Sequence, residues 1–196
     1  MWYFKKTKQI PNPNLASTIL ILVLLPVAIM SCSNQSIRNS PEELAKTVYL
    51  ALHKNNVEIY NSIQPQKKDA HSIGRIVKRN AQLKLSDPEQ LAIEIKNIEQ
   101  SIKNEIESLP SRHKNNNKKF RQARNNADNA GLDWENSSFS HAEYKIQQEK
   151  KSGLLACQLY FYVDSQNKQY KFQINDCLKV DQGWVNGDGL SFLPPD

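Results

Sequence analysis

The sequence predicts an α+β fold, with N-terminal helices packed on a C-terminal antiparallel sheet. Three observations predict it. Between residues 41 and 130, apolar residues recur at three- and four-residue spacings behind capped starts, as helices with one buried face require. From Trp134 onward the period changes to two, as strands with one buried face require. Turn signals at Asp164 to Lys168, Asp181-Gln182-Gly183 and Gly187-Asp188-Gly189 divide the alternating runs.

The helices come first. In Ser40-Pro41-Glu42-Glu43, Ser40 is the cap, Pro41 takes the first helical position and Glu43 completes a capping box. Leu44, Val48, Ala51 and Leu52 then share one face. Asn55-Asn56 ends this helix and caps a short second one carrying Val57, Tyr60 and Ile63, which stops before Pro65. A third helical pattern covers residues 66 to 85 with Ile73, Ile76, Val77 and Leu83, although Gly74 costs about 1 kcal/mol relative to alanine. Ser86-Asp87-Pro88-Glu89 starts the clearest amphipathic helix. Its Leu91, Ile95, Ile98, Ile102, Ile106 and Leu109 follow at spacings of 4, 3, 4, 4 and 3. It is expected to stop at Pro110. Its stripe reads as core, and the sharper alternative is a partner-binding or coiled-coil seam.

Arg112 to Asn129 is the most polar stretch of the domain and reads as a solvated loop or frayed helix. Arg112, Lys114, Lys118, Lys119, Arg121 and Arg124 give six positive charges with no acid before Asp128, and Phe120 is the lone aromatic. These six cations are a candidate contact for anionic lipid headgroups or another polyanion. One aromatic is too few for a nucleic-acid surface.

The strands follow. Phe139 to Gln147 is one candidate. In Leu154 to Val163, Leu155, Cys157, Leu159, Phe161 and Val163 alternate with polar or aromatic residues. Tyr170, Phe172, Ile174, Leu178 and Val180 alternate with Lys171, Gln173, Asn175 and Lys179, so the two runs make a hairpin. Trp184-Val185 and Leu190 to Leu193 are expected to close the sheet.

The first 33 residues carry a different message. Lys5, Lys6 and Lys8 precede an apolar run of 16 residues, Leu15 to Met30, interrupted by Ser17, Thr18 and Pro26. A spanning helix needs about 20 apolar residues, whereas a positive start, a short apolar core and a small-residue exit make a signal peptide. The exit, Ile29-Met30-Ser31-Cys32, resembles the lipobox of bacterial lipoproteins, with an aliphatic residue at −3, a small residue at −1 and then cysteine. Met30 departs from the family's preference at −2. The resemblance implies that residues 1–31 are cleaved and that Cys32 is acylated, with residues 32–40 a flexible tether to one domain, 41–196. It further implies a membrane-anchored protein outside the cytoplasm, on the periplasmic side of the outer membrane if the cell is Gram-negative. Two or more acyl chains hold a protein stably where one does not. The alternative is an uncleaved signal anchor with an incidental cysteine.

Removing residues 1–31 takes three of the 26 basic residues and none of the 20 acidic ones, leaving a side-chain charge of +3. Whole-chain basicity is therefore poor support for nucleic acid. With Cys32 spent on lipid, Cys157 and Cys177 remain, and an even remainder outside the cytosol suggests a disulfide. Pairing them needs opposite positions to sum to 334, with Gln166-Asn167-Lys168 as a three-residue loop. Parity objects, because Cys157 shares a face with Leu159 and Phe161 while Cys177 shares one with Lys171 and Gln173. A one-residue bulge near Asn175-Asp176 would remove the conflict. Cys177 could otherwise pair by another route if the strands are not partners.

The capped pair of helices at the start, from Ser40-Pro41-Glu42-Glu43 through Ala51-Leu52 to Asn55-Asn56-Val57, resembles the opening of NTF2-like (cystatin-like) domains. That resemblance implies helices on a curved antiparallel sheet, with a conical pocket between them in which some relatives carry out catalysis. Residues 66 to 130 hold more helix than a minimal domain of this kind, which implies a long insertion.

The sequence offers little catalytic chemistry. His53, His71, His113 and His141 have no metal-ligand spacing, and there is no Cys-x-x-Cys, Gly-x-Ser-x-Gly or His-Glu-x-x-His. Tyr49, Tyr60, Asp176 and His141 are the polar groups that could line a pocket. Two classes of function remain. One is a non-catalytic, lipid-anchored binding or structural module of the cell envelope, without cofactor or metal, meeting the membrane through Cys32 and facing another envelope protein or anionic lipid. The other is an NTF2-like small-molecule-binding protein or enzyme using the pocket.

Overall fold

The computed structural model describes residues 39–194, so the leader, Cys32 and most of the tether lie outside the described residues. Helix α1 (Pro41–His53) starts where Ser40 Oγ accepts from Glu43 N at 3.1 Å. The Glu43 carboxylate returns a bond to the Asn39 N–H at 2.9 Å, one residue earlier than a capping box requires. Helix α2 (Val57–Ser62) is capped by Asn56 Oδ1, which accepts from Glu58 and Ile59. Helix α3 spans Lys67–Lys84, and α4 spans Pro88–Asn129 behind Asp87.

Helix α4 overturns one expectation. It does not stop at Pro110 but runs through it over a total of 42 residues, and Arg112 to Asn129 is regular helix rather than a solvated loop or frayed helix. Proline inside a helix removes one backbone bond, here to the Ile106 carbonyl, and costs about 3 kcal/mol. Burial beyond the proline offsets this: Asn116, Phe120, Ala123 and Ala127 recur at helical spacing and are all buried. Arg112 also reaches back over Pro110 to hold both carboxylate oxygens of Glu105, with Nη2 2.7 Å from Oε2.

The strands are β1 (Ser137–Gln148), β2 (Leu155–Ser165), β3 (Lys168–Val180), β4 (Gly183–Asn186) and β5 (Leu190–Leu193). They pair antiparallel in the order β1-β2-β3-β4, and β5 lies beside β4 on the same edge of β3. The β2–β3 loop is two residues, not three. Gln166 and Asn167 both take left-handed φ, 50° and 61°, as a hairpin loop of that length demands. Val163 then faces Tyr170, Phe161 faces Phe172 and Leu159 faces Ile174. The bulge falls where parity asks for it: Asp176 takes φ 49°, the register shifts by one, and Cys177 turns inward opposite Cys157.

One core results. Helices α1 and α2 and the second half of α4 cover the inner face of the sheet. Leu44, Val48, Leu52, Tyr60, Phe120, Leu159, Phe161, Phe172, Ile174 and Leu190 meet there with essentially no exposure. Phe161 stacks on Phe172 at 5.0 Å and Tyr60 on Phe120 at 4.7 Å. The first half of α4 packs instead on α3, and α3 is tied to the β3–β4 turn by Ser72 and Arg75 and to the β1–β2 loop by Asn80 and Lys84, so the α3–α4 pair forms a two-helix arm along the edge of this core.

Candidate binding groove and cationic helix face

The arm positions an apolar groove. Gly74 brings α3 onto α4 closely enough that a Cβ would fall 2.1 Å from Ile102 Cδ1. Lys78 joins the helices through Glu99 at 2.7 Å. Beyond each other the two helices have little apolar cover: α3 meets the sheet through Leu178, the Asp181 turn and the Lys150–Lys151 loop, largely by polar contacts. Ile73, Val77, Ile95 and Ile102 are therefore only half-buried, while Leu83 and Ile93 are 78% and 57% exposed. Between the helices a groove of about 430 Å³ opens, floored by Ala70, Ile73, Val77, Ile98, Ile102 and, from β3, Leu178. Glu94, Asn97, Ser101 and the Glu105–Arg112 pair form its rim. This volume lies within the usual range of small-molecule sites, and an apolar floor with few polar groups is their usual composition.

The interior between sheet and helices is filled, and the polar residues singled out for it do not converge. Tyr60 is buried, and its hydroxyl accepts from Asn186 Nδ2 at 2.7 Å. Burial pushes that phenol far above its ordinary range. Tyr49 donates to the Ser137 carbonyl at 2.9 Å, Asp176 is exposed on the bulge, and His141 stacks on Tyr162 at the surface. Among the described residues, no group of three or more His, Cys, Asp or Glu side chains is placed to hold a metal ion, and no helix is long and apolar enough to cross a membrane.

The six cations of α4 divide by helical phase. Three are spent within the fold. Arg112 holds Glu105, and Lys119 donates to the Asp188 carbonyl at 2.9 Å and its carboxylate at 3.2 Å. Arg124 donates to the Leu52 carbonyl at the end of α1 and lies 4.7 Å over the Trp134 ring. The other three, Lys114, Lys118 and Arg121, are exposed and make no ion pair among the described residues.

Cys157 and Cys177 are both buried free thiols, paired directly across the β2–β3 ladder. The neighbouring sulfur and burial together hold the Cys177 thiol well above its usual range. Two thiols at facing ladder positions are within the reach of a disulfide.

No family model, curated protein or solved structure matches this chain. The groove residues were legible in the sequence as apolar stripes on two successive helices. Sequence alone read them as core, since nothing in a stripe reports whether a third element covers it.

Proposed function

We propose that this protein is a lipid-anchored lipoprotein of the bacterial cell envelope whose domain is a non-catalytic binding module. The α3–α4 groove is its site, and the occupant is the aliphatic part of a small amphipathic molecule. One observation carries the reading: the space between sheet and helices is packed with Leu44, Leu52, Phe120, Phe161 and Phe172, while the groove stays open beside it. The rim supports an amphipathic occupant, because Asn97, Ser101 and Glu94 offer a polar end its hydrogen bonds above the Ile73–Val77–Ile98–Ile102 floor. The lipobox at Ile29-Met30-Ser31-Cys32 supports the anchor, and the facing cysteines suit an oxidising compartment in which they would close to a disulfide.

The finer fold reading, an NTF2-like domain, belongs to the same proposal. It is supported by the capped α1–α2 pair lying on an antiparallel sheet, with the α3–α4 arm as the insertion. The enzymatic alternative would set its chemistry where the core side chains now pack.

Two experiments test the proposal. Palmitate labelling marks the wild type, and Cys32→Ala loses both label and membrane association; equal labelling of the variant refutes the anchor. Val77→Trp fills the groove from a half-exposed position. An environment-sensitive naphthylamine probe should bind the wild type and bind this variant about tenfold more weakly, a loss of roughly 1.4 kcal/mol. Equal binding by a folded variant refutes the site.

A further inference from the structure

We infer that the outer face of α4, carrying Lys114, Lys118 and Arg121, is a second membrane contact that lies against anionic lipid headgroups. This inference rests on the lipid-anchor reading, which places the domain beside a bilayer. The argument is one of phase. At about 100° per residue, Lys114, Lys118 and Arg121 fall within about 60° of the helix circumference. The buried positions Leu109, Asn116, Phe120, Ala123 and Ala127 centre on the opposite side. The three free cations therefore point straight away from the core, while Arg112, Lys119 and Arg124, nearer the core, are the ones held by Glu105, Asp188 and Leu52.

Charge complementarity selects the occupant. No acidic residue lies within one helical turn of Lys114, Lys118 or Arg121; the nearest on this face of α4 are Glu107 and Asp128, two turns away at either end of the strip. Alongside the cations lie Ser111, Asn115, Gln122 and Asn125, all exposed, whose hydroxyl and amides suit phosphate and glycerol oxygens. Apart from the ring of Pro110 one turn before Lys114, no aromatic or aliphatic side chain projects there, so the contact rests on the headgroups without inserting, and it is salt-sensitive. A basic residue held at an anionic leaflet raises partitioning about fivefold, so three raise it on the order of a hundredfold. With the chain already tethered, that gain goes into orienting the domain rather than recruiting it.

The test uses the mature protein, its Cys32 acylation verified by intact mass, reconstituted into phosphatidylcholine vesicles with or without about one-third phosphatidylglycerol, a composition set by the anionic surface the contact needs. Amine-reactive labelling is read by mass spectrometry at Lys114 and Lys118, with exposed Lys145 and Lys168 of the sheet as references. The expected result is labelling of Lys114 and Lys118 slowed about fivefold or more in the anionic vesicles alone and restored by high salt. A dye on Asn115→Cys should likewise be quenched by headgroup-labelled anionic lipid, and lose that quenching when Lys114, Lys118 and Arg121 are all changed to Gln. Equal labelling in both vesicle types overturns the inference, as does protection that salt does not reverse. Absence of acyl mass on Cys32 overturns the anchor instead. In that case cosedimentation of the unacylated protein with the same anionic vesicles decides the face: the Gln variant should bind about a hundredfold more weakly, and equal binding overturns it.

Discussion

Replacing Phe120 with alanine asks whether the polar stretch after Pro110 belongs to the core. Phe120 is 1% exposed and its ring stacks on Tyr60 at 4.7 Å. Truncating a buried phenylalanine removes its transfer energy and leaves a cavity, about 3–5 kcal/mol together. The ring pair accounts for about 0.5–1.5 kcal/mol of that order. For a domain of this size the loss corresponds to a fall in Tm of roughly 6–20 °C. Urea unfolding followed by circular dichroism measures it as a shift in midpoint at unchanged slope. Phe120→Leu provides a milder variant that keeps most of the volume and loses the ring stack. Lys118→Ala, two residues away on the opposite face, should stay within about 0.5 kcal/mol. If residues 112–129 were a solvated loop, Phe120→Ala would also fall in that small range. A cost below about 1 kcal/mol would refute the packing described here.

Other outcomes follow from particular contacts. Pro110→Ala restores the N–H that the Ile106 carbonyl lacks and should stabilise the domain by about 1–3 kcal/mol; a loss of stability would show that the fold depends on the proline. Tyr60→Phe removes the acceptor of buried Asn186 Nδ2 and should cost about 1–3 kcal/mol, measured by the same unfolding curves. Denatured, unreduced mature protein should titrate no free thiol once Cys157 and Cys177 have closed, whereas two thiols per chain would show that the pair stays reduced. Arg75 and the Ser72 hydroxyl lower the pKa of Asp181, so their contribution is present above the carboxylate's unfolded value and is lost as pH falls through the folded one. Arg75→Ala should move the Asp181 titration upward by NMR, and an unmoved titration would show that the ion pair does not form in solution.

Local chemistry made much of the fold legible. Ser40, Asn56 and Asp87 are side chains that satisfy free helix N–H groups, so three starts were readable from single residues. Strand parity went further: apolar and charged residues cannot share a buried face, so a Cys157–Cys177 pair requires a bulge near Asn175-Asp176, and the bulge is at Asp176. Pro110 misled for the converse reason: its cost is local, whereas the compensation, Phe120 under Tyr60 and Ala123 and Ala127 against the core, is tertiary. A 4, 3, 4 spacing from Asn116 to Ala127 was present but hidden by asparagine and small residues. The groove was legible as residues and illegible as a site, since exposure of Ile73 and Ile102 depends on neighbours that never arrive. The split of the α4 cations needed the positions of Glu105, Asp188 and the Leu52 carbonyl.

The bond from Asn186 to Tyr60 has a consequence for the order of folding. Asn186 N also donates to the Ile63 carbonyl at 3.0 Å, so two bonds tie a residue near the C-terminus to the α2 region about 125 positions earlier. The β2–β3 hairpin and the α3–α4 pair can form early, because their contacts are near in sequence. Helices α1 and α2 cannot finish packing until β4 exists, so the first helices of the domain are among the last to settle. Chain termini generally tolerate trimming, but this one should not. Deletion from Gly183 onward leaves Tyr60 and Ile63 facing water and strips β5 from the second half of α4, so such a chain should remain protease-sensitive in α1, α2 and the end of α4 while α3 and the first half of α4 stay protected.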